Sequence, residues 1–307
     1  MKSSLIITVL NEEFTISKLL ESIKYQTVLP DEVVVVDGGS DDNTVKILKE
    51  FQKNHSEINF KVIIKKGNRS IGRNEGIKNA CGDIVLITDA GCLLDKNWVK
   101  EISKPFENTL IDVVAGYYKG VATSSFQRAL IPYVLVMPDK IDRNNFLPAT
   151  RSMALKKDVW LELGGFNTSL SHNEDYIFAR NIKKNNKNIY FASKAIVYWI
   201  PRNSFRSSFT MFCRFAYGDI EAGVLRPKVL MIFLRYFLAI TLLFYSFITS
   251  NLTLLGILIL FMLLYILWAI NKNKKYMSKK TDLLYLPSIQ ILSDLAVMYG
   301  SVKGYLK

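Results

Sequence analysis

Val33–Ser40, VVVVDGGS, is the stretch on which the reading of this chain turns. Four consecutive valines are too short a run for a helix, and they lack the alternation of a strand with one wet face. They describe a strand buried on both sides, as in a parallel sheet covered by helices. Asp37 then stands at the strand's carboxyl end, and Gly38-Gly39 permit a tight turn. The crevice at the carboxyl ends of such strands is where open α/β sheets receive ligands. The same form recurs at Ile84–Gly91, IVLITDAG, with Asp89 in the corresponding place.

Outward from that stretch, Leu5–Leu10 is a short β-rich run stopped by Asn11-Glu12-Glu13, and Ile16, Leu19, Leu20 and Ile23 follow at helical spacing. Pro30 punctuates, Glu32–Val36 forms the next strand, and Asp41-Asp42-Asn43-Thr44 cap a helix through Phe51. Phe60–Ile64 reads as strand, Gly72–Ala80 as helix and Asp83–Thr88 as strand. Strands alternating with helices predict a mostly parallel sheet with helices on both faces. Residues 115–157 are irregular and rich in Tyr, Met and Pro, fitting an acceptor-side loop region or a plain connection equally well.

The 307 residues are 50% hydrophobic, with mean hydropathy +0.15, which is greasy for a soluble protein of this size. The net charge of +13 is unevenly spread: after residue 200 there are 13 Lys and Arg against 4 Asp and Glu. Val229–Thr249 carries only Arg235 as a charge and Leu252–Ile270 carries none, each long enough to cross a bilayer. Lysines crowd 271–281, so the positive-inside rule places that loop, and with it residues 1–228, in the cytoplasm. The expected location is the cell membrane, multi-pass. Residues 283–303 are apolar but broken by Pro287, Gln290 and Asp294, which fits a third span or an interfacial helix. Basic residues beside membrane helices account for the charge without nucleic acid. Met1-Lys2 leads straight into a strand with an apolar run too short for a signal peptide. Cys81, Cys92 and Cys213 are dispersed and only His55 and His172 are present, so neither a disulfide framework nor a structural zinc site is expected. No G-x-G-x-x-G follows a strand, which argues against a dinucleotide oxidoreductase.

The series LIITVLNEE, VVVVDGGSDDNT, GRNEGI, ITDAG, GGFN and NEDYIFARNI, in that order over residues 4–200, resembles the family 2 glycosyltransferases. The resemblance implies a GT-A (Rossmann-like) nucleotide-sugar-binding domain over 1–200. A connection at 201–228 and C-terminal transmembrane helices follow. It implies an inverting enzyme that uses a nucleotide-diphosphate sugar. It assigns Val9, Asn11, Glu13, Asp37, Arg73, Asn74 and Asp89 to nucleotide binding, and Asp175, beside Glu174, to the catalytic base. Inverting transfer needs one carboxylate to take the acceptor hydroxyl's proton as that oxygen attacks the anomeric carbon.

Two departures from the family pattern matter. Where the family usually has Asp-x-Asp, with a last carboxylate that holds Mg2+ or Mn2+, this chain has Asp89-Ala90-Gly91. Asp89 is then the remaining metal candidate, with Asp95 or His172 as possible further ligands. Met211-Phe212-Cys213-Arg214-Phe215 stands where processive synthases carry Gln-x-x-Arg-Trp, which argues against a polymerase. Arg202, Arg206 and Arg214 remain candidates for diphosphate or anionic-lipid contacts. The expected acceptor is lipid-linked or a cell-envelope glycan at the cytoplasmic membrane face. The alternatives are a polyprenyl-phosphate sugar synthase and a catalytically inactive nucleotide-sugar or lipid-binding partner protein.

Overall fold

The valine run becomes an inner strand of an eight-stranded sheet, wholly buried along its length. A computed structural model describes residues 1–306. In chain order it contains β1 (Ser3–Val9), α1 (Ile16–Lys24), β2 (Glu32–Asp37), α2 (Thr44–Asn54), β3 (Phe60–Ile64), α3 (Arg69–Lys78), β4 (Ile84–Asp89), β5 (Cys92–Leu94), α4 (Trp98–Ser103) and β6 (Val113–Gly120). There follow α5 (Ser125–Val134), β7 (Met153–Lys156), α6 (Lys157–Glu162), α7 (Glu174–Lys184) and β8 (Ile189–Trp199). The remainder is helical: α8 (Phe205–Glu221), α9 (Pro227–Ile248), α10 (Leu252–Asn273), α11 (Lys280–Leu283) and α12 (Tyr285–Tyr305). Two compact units result, one of residues 1–121 and 137–200, the other of 122–136 and 201–307.

In the first unit the strand order is β3-β2-β1-β4-β7-β6-β8-β5. β1 pairs in parallel with β2 and β4, with Val9 opposite Asp37 and Thr8 opposite Asp89. This register sets the two strand-end carboxylates nearly level, one strand apart on either side of β1. Beyond β4 the sheet is mixed: β7 runs antiparallel to both β4 and β6, and β5 antiparallel to β8. The mostly parallel expectation holds for β1–β4 and again where β6 pairs in parallel with β8; β5 and β7 are the antiparallel strands, and β7 is reached through the long 121–152 excursion. A helical crossover laid on the sheet would have imposed a parallel return.

α3 positions much of the candidate site. It starts at Arg69, three residues before the expected Gly72, because Asn68 caps it by accepting from the Ile71 amide at 3.0 Å. Gly72 and Gly76 sit one turn apart against the sheet. A Cβ at Gly76 would stand 2.7 Å from Ile6 Cγ2, and one at Gly72 2.9 Å from Thr8 Cγ2. Ile6, Val34, Val36 and Ile77 fill this contact and are wholly buried. Gly76→Val is therefore expected to lower stability by about 1–3 kcal/mol through overpacking, more than the helix propensity it gains. A thermal or denaturant midpoint no lower than wild type would show that α3 does not rest on the sheet through these glycines.

In the second unit, Arg128 on α5 makes a two-pronged ion pair with Asp282 on α11, at 2.9 and 3.0 Å. The Tyr133 hydroxyl donates to the Leu286 carbonyl. The irregular 115–157 segment is thus part β6, part helix of the second unit and part β7. Three helices are long and apolar enough to cross a membrane: Pro227–Ile248, Leu252–Tyr276 and Lys280–Tyr305. Pro287 does not break the last of these, because it lies in the first turn of α12, where a missing N–H costs no helical bond. Asp294 is matched within the unit: it accepts from Arg235 at 2.6 Å, from Tyr236 at 3.2 Å, from Gln290 at 3.1 Å and from Tyr265. Most of the basic 271–281 stretch is helical, since α10 continues to Asn273, a 3-10 turn follows over Lys274–Tyr276 and α11 begins at Lys280.

Candidate active site

Two loops at the carboxyl edge of the sheet are stitched into one rim. Asp37 accepts the Gly39 and Ser40 amides at 2.9 and 2.8 Å through Oδ1, and the Ser40 hydroxyl at 2.5 Å through Oδ2. Gly39 adopts φ +100°, which only glycine takes without strain. Ser40 Oγ in turn accepts from the Asn11 amide, and Asn11 Oδ1 accepts from the Asp41 amide. Asn11 is itself left-handed, at φ 55°, which asparagine tolerates better than other non-glycine residues. Glu13 accepts from the Asn43 side chain at 2.8 Å, and the Val9 carbonyl accepts from Gly38 at 2.9 Å. The structure brings Val9, Asn11, Glu13 and Asp37 together. It gives the wholly buried Asp37 carboxylate the work of holding its own loop, with one lone-pair direction on Oδ2 still uncommitted.

The second constellation centres on Arg73. Its side chain is only 2% exposed and donates to Glu174 Oε1 at 2.6 Å and to Asp89 Oδ1 at 3.0 Å. Its guanidinium carbon lies 5.5 Å from the Phe166 ring centroid. A buried arginine is tolerated only with such partners. One cation thereby ties the end of β4 to the start of α7. Asn74, next on α3, accepts from the Phe166 amide and the Trp160 indole and donates to the Phe166 carbonyl at 2.8 Å. The Asn74 amide clamps the Gly165-Phe166 turn that leads into α7. Gly165 has φ +73°, and a Cβ there would stand 2.8 Å from Asn74 Oδ1.

α7 opens on Asn173, left-handed at φ 58°, and presents Glu174 and Asp175 in its first turn. Glu174 is buried against Arg73, whereas Asp175 is half-buried and, among the described residues, pairs only with its neighbour's amide, Tyr176, at 2.8 Å. The two carboxyls near Arg73 titrate in opposite directions. Burial would raise Asp89, but Arg73, Arg151 and Arg69 outweigh it and hold that carboxyl below the ordinary range. Burial, and then the charge of Glu174, push Asp175 up against the pull of Arg73. Two acids whose environments drive them apart is the pattern of a base beside a permanently ionised partner. Cys92, between the strands, is no rival nucleophile, since burial pushes its thiol up to about 12.

The donor set does not fit a metal cage built from protein groups. Asp89 spends one oxygen on Arg73, Gly91 supplies no ligand, and the positive charges of Arg73, Arg151 and Arg69 already act on the Asp89 carboxyl. Neither Asp95 nor His172 completes the set: Asp95 accepts from the Tyr198 hydroxyl and the Asn97 amide, and His172 Nδ1 pairs with Ser171. Among the described residues no three His, Cys, Asp or Glu side chains converge on a common point. Arg214 is exposed on α8, in the second unit. A cavity of about 770 Å³ is lined by Gly165, Asn167, Ile177, Arg180, Asn181 and Lys184, and includes none of Asp37, Asp89 and Asp175.

Residues 4–164 match the model of glycosyl transferase family 2. The chain belongs to that family. Among curated relatives, an uncharacterized glycosyltransferase of Bacillus subtilis, YfnE, is 34% identical over 132 residues, 42% of this family 2 chain and 33% of its own. An O-antigen chain rhamnosyltransferase of Salmonella typhimurium, RfbN, is 26% identical over 225 residues, 68% of this chain and 71% of that one. The chain spans less than two thirds of the length of the first such relatives, 33% and 65%. Among solved structures, a mannosyltransferase from Pyrobaculum calidifontis, in complex with GDP-Man and Mn2+, superposes with TM-score 0.69 at 15% identity, covering 99% of this chain and 87% of that one. That likeness establishes the GT-A-like fold of this family 2 member.

Sequence reasoning missed Arg151, Phe166 and the aromatic pair Tyr118 and Trp199, which stand around the acidic cluster. Phe166 lies in the GGFN motif and Tyr118 in the Tyr-rich 115–157 segment, but no local pattern ties either to Arg73 or Arg151, and Arg151 lies just before a short strand with no motif around it.

Proposed function

We propose that this chain is an inverting glycosyltransferase that moves a sugar from a nucleotide-diphosphate sugar to a hydroxyl of a lipid-linked or cell-envelope glycan, at the cytoplasmic face of a membrane it crosses. One observation carries the reading: Arg73 locks Glu174 and Asp89 and leaves Asp175, next in the chain, as the half-buried carboxyl whose proton affinity is raised. Asp175 takes the acceptor hydroxyl's proton as the oxygen attacks the anomeric carbon. Glu174 fixes the first turn of α7 through Arg73, and the Asp37 loop receives the nucleobase. Three apolar helices and a basic stretch beside them support membrane residence and the cytoplasmic orientation. The acceptor class follows relatives named for O-antigen chain synthesis.

The test is donor binding by the detergent-solubilised full chain against UDP-, GDP- and dTDP-sugars, each with EDTA, Mg2+ or Mn2+. Free donor at 100 times its dissociation constant adds about 2.7 kcal/mol, a readable thermal shift. Stabilisation by one nucleotide class supports the reading, and the metal arms show whether a dication helps despite Gly91. Silence across the whole panel would sink it and move the weight to an inactive lipid-binding partner protein.

A further inference from the structure

Three arginines act on Asp89; among the described residues neither Arg69 nor Arg151 pairs with a carboxylate, and of these two Arg69 is exposed whereas Arg151 is half-buried. Arg73 is committed to Glu174 and Asp89. Among the described residues no hydrogen bond or ion pair engages the Arg151 guanidinium. It lies over two aromatic rings instead, 5.6 Å from the Tyr118 centroid and 5.4 Å from that of Trp199. Aromatic faces hold a guanidinium in place while leaving its N–H groups free to donate.

Its position is fixed by the sheet. β4 and β7 pair antiparallel as far as Ile87 opposite Met153, and Arg151 stands in the turn just before that pair, closed by the Ser152 amide donating to the Ala149 carbonyl at 2.9 Å. The Thr88 hydroxyl donates to the Arg151 carbonyl at 2.9 Å. Ser152, the next residue, is clamped on three sides. Its hydroxyl accepts from the Trp98 indole at 2.8 Å and donates to the Ala195 carbonyl at 3.1 Å, and its carbonyl accepts from the Gly116 amide at 2.8 Å. A Cβ at Gly116 would stand 1.9 Å from Ser152 Oγ, so the glycine is what allows this closeness. The charge of Arg151 reaches both Asp89 and Asp175. Across the end of β4, the place of a second family carboxylate is empty space: a Cβ at Gly91 meets nothing within 4 Å.

We propose that Arg151, stacked on Tyr118 and Trp199 beside the end of β4, grips the diphosphate of the donor and neutralises the charge that develops there as the sugar leaves. The inference rests on the transferase reading above. In the transfer step the acceptor oxygen bonds to the anomeric carbon and its proton goes to Asp175. The bond from that carbon to the phosphate oxygen breaks, and the electron pair leaves with the nucleoside diphosphate. A planar guanidinium matches two phosphate oxygens at once, and its contact strengthens as negative charge accumulates on them.

The experiment compares Arg151→Met and Arg151→Lys with wild type in the full, detergent-solubilised chain. It measures affinity for the nucleoside diphosphate, nucleoside monophosphate and free nucleoside of the preferred class, together with donor turnover. Arg151→Met, which keeps the side-chain stem over the rings, is expected to weaken the diphosphate about 10- to 100-fold while leaving the nucleoside within about threefold. Turnover should fall further than donor affinity. Arg151→Lys should regain part of both, which separates charge from packing and serves in place of Arg151→Met should that variant not fold. Diphosphate affinity unchanged within about threefold, or an equal loss of nucleoside and diphosphate, overturns the proposal. In either of those cases wild-type binding leaves the transferase reading standing. A wild type that binds no nucleoside diphosphate overturns both.

Discussion

Arg73→Met is expected to lower the stability of the first unit by about 3–5 kcal/mol and to abolish donor-induced stabilisation. The magnitude follows from what stays behind. Glu174, with a side chain only 5% exposed, would keep a buried charge with no cation, and Asp89 would lose its closest partner. Breaking a buried pair from one side costs far more than the pair itself contributes, because the orphaned ion has already been stripped of water. Part of the loss should return in Arg73→Met with Glu174→Gln, where both ends of that pair are neutral. Arg73→Lys should rescue poorly, since an ammonium on a single stem does not present the fork that reaches Glu174 and Asp89 together. Melting of the single and double variants checks this. A Met variant within about 1 kcal/mol of wild type would show that α7 is held by other contacts, and the case for Asp175 as a positioned base would fail with it.

What the sequence made readable and what it hid divide along sequence separation. VVVVDGGS and IVLITDAG announce buried strands ending in carboxylates, because burial on both faces and a glycine turn are local properties. Their parallel pairing through β1 then sets Asp37 and Asp89 at one edge. The link between Arg73 and Glu174 spans 101 residues and has no periodicity to betray it. The resemblance gave Arg73 and Asn74 a shared role, and on a helix consecutive side chains point about 100° apart. Arg73 meets Glu174 and Asp89, while Asn74 meets the Gly165-Phe166 turn. The antiparallel β7 was hidden because direction is set by the route of a long connection, not by the composition of a four-residue strand. Residues 283–303 read as either a third span or an interfacial helix because Asp294 was counted without the Arg235, Tyr236, Tyr265 and Gln290 that donate to it.

Asp175→Asn should reduce transfer to a hydroxyl acceptor by about 10²- to 10⁴-fold, the usual worth of a positioned general base, while leaving donor affinity nearly unchanged. The same substitution should stabilise the protein at neutral pH, and the sign follows from the raised carboxyl. The folded state holds the Asp175 proton more tightly than the unfolded chain, whose carboxyl titrates near the ordinary 3.8. Below that pH both states are protonated and the side chain costs nothing. As pH rises through the interval up to the folded value, the folded state must surrender a proton it favours, so stability is lost and stays lost above it. Asparagine removes that cost, so its melting advantage should be absent near pH 3.5, grow through the mildly acidic range and level off. Wild-type turnover should rise over that same range, because only the ionised form accepts a proton. A stabilising mutation that abolishes activity is the signature of a group kept in an unfavourable environment for its chemistry. If Asp175→Asn instead transfers sugar at close to the wild-type rate, no base is needed. The acceptor is then already ionised, as a polyprenyl phosphate would be, and hydroxyl transfer is the wrong reaction for this site.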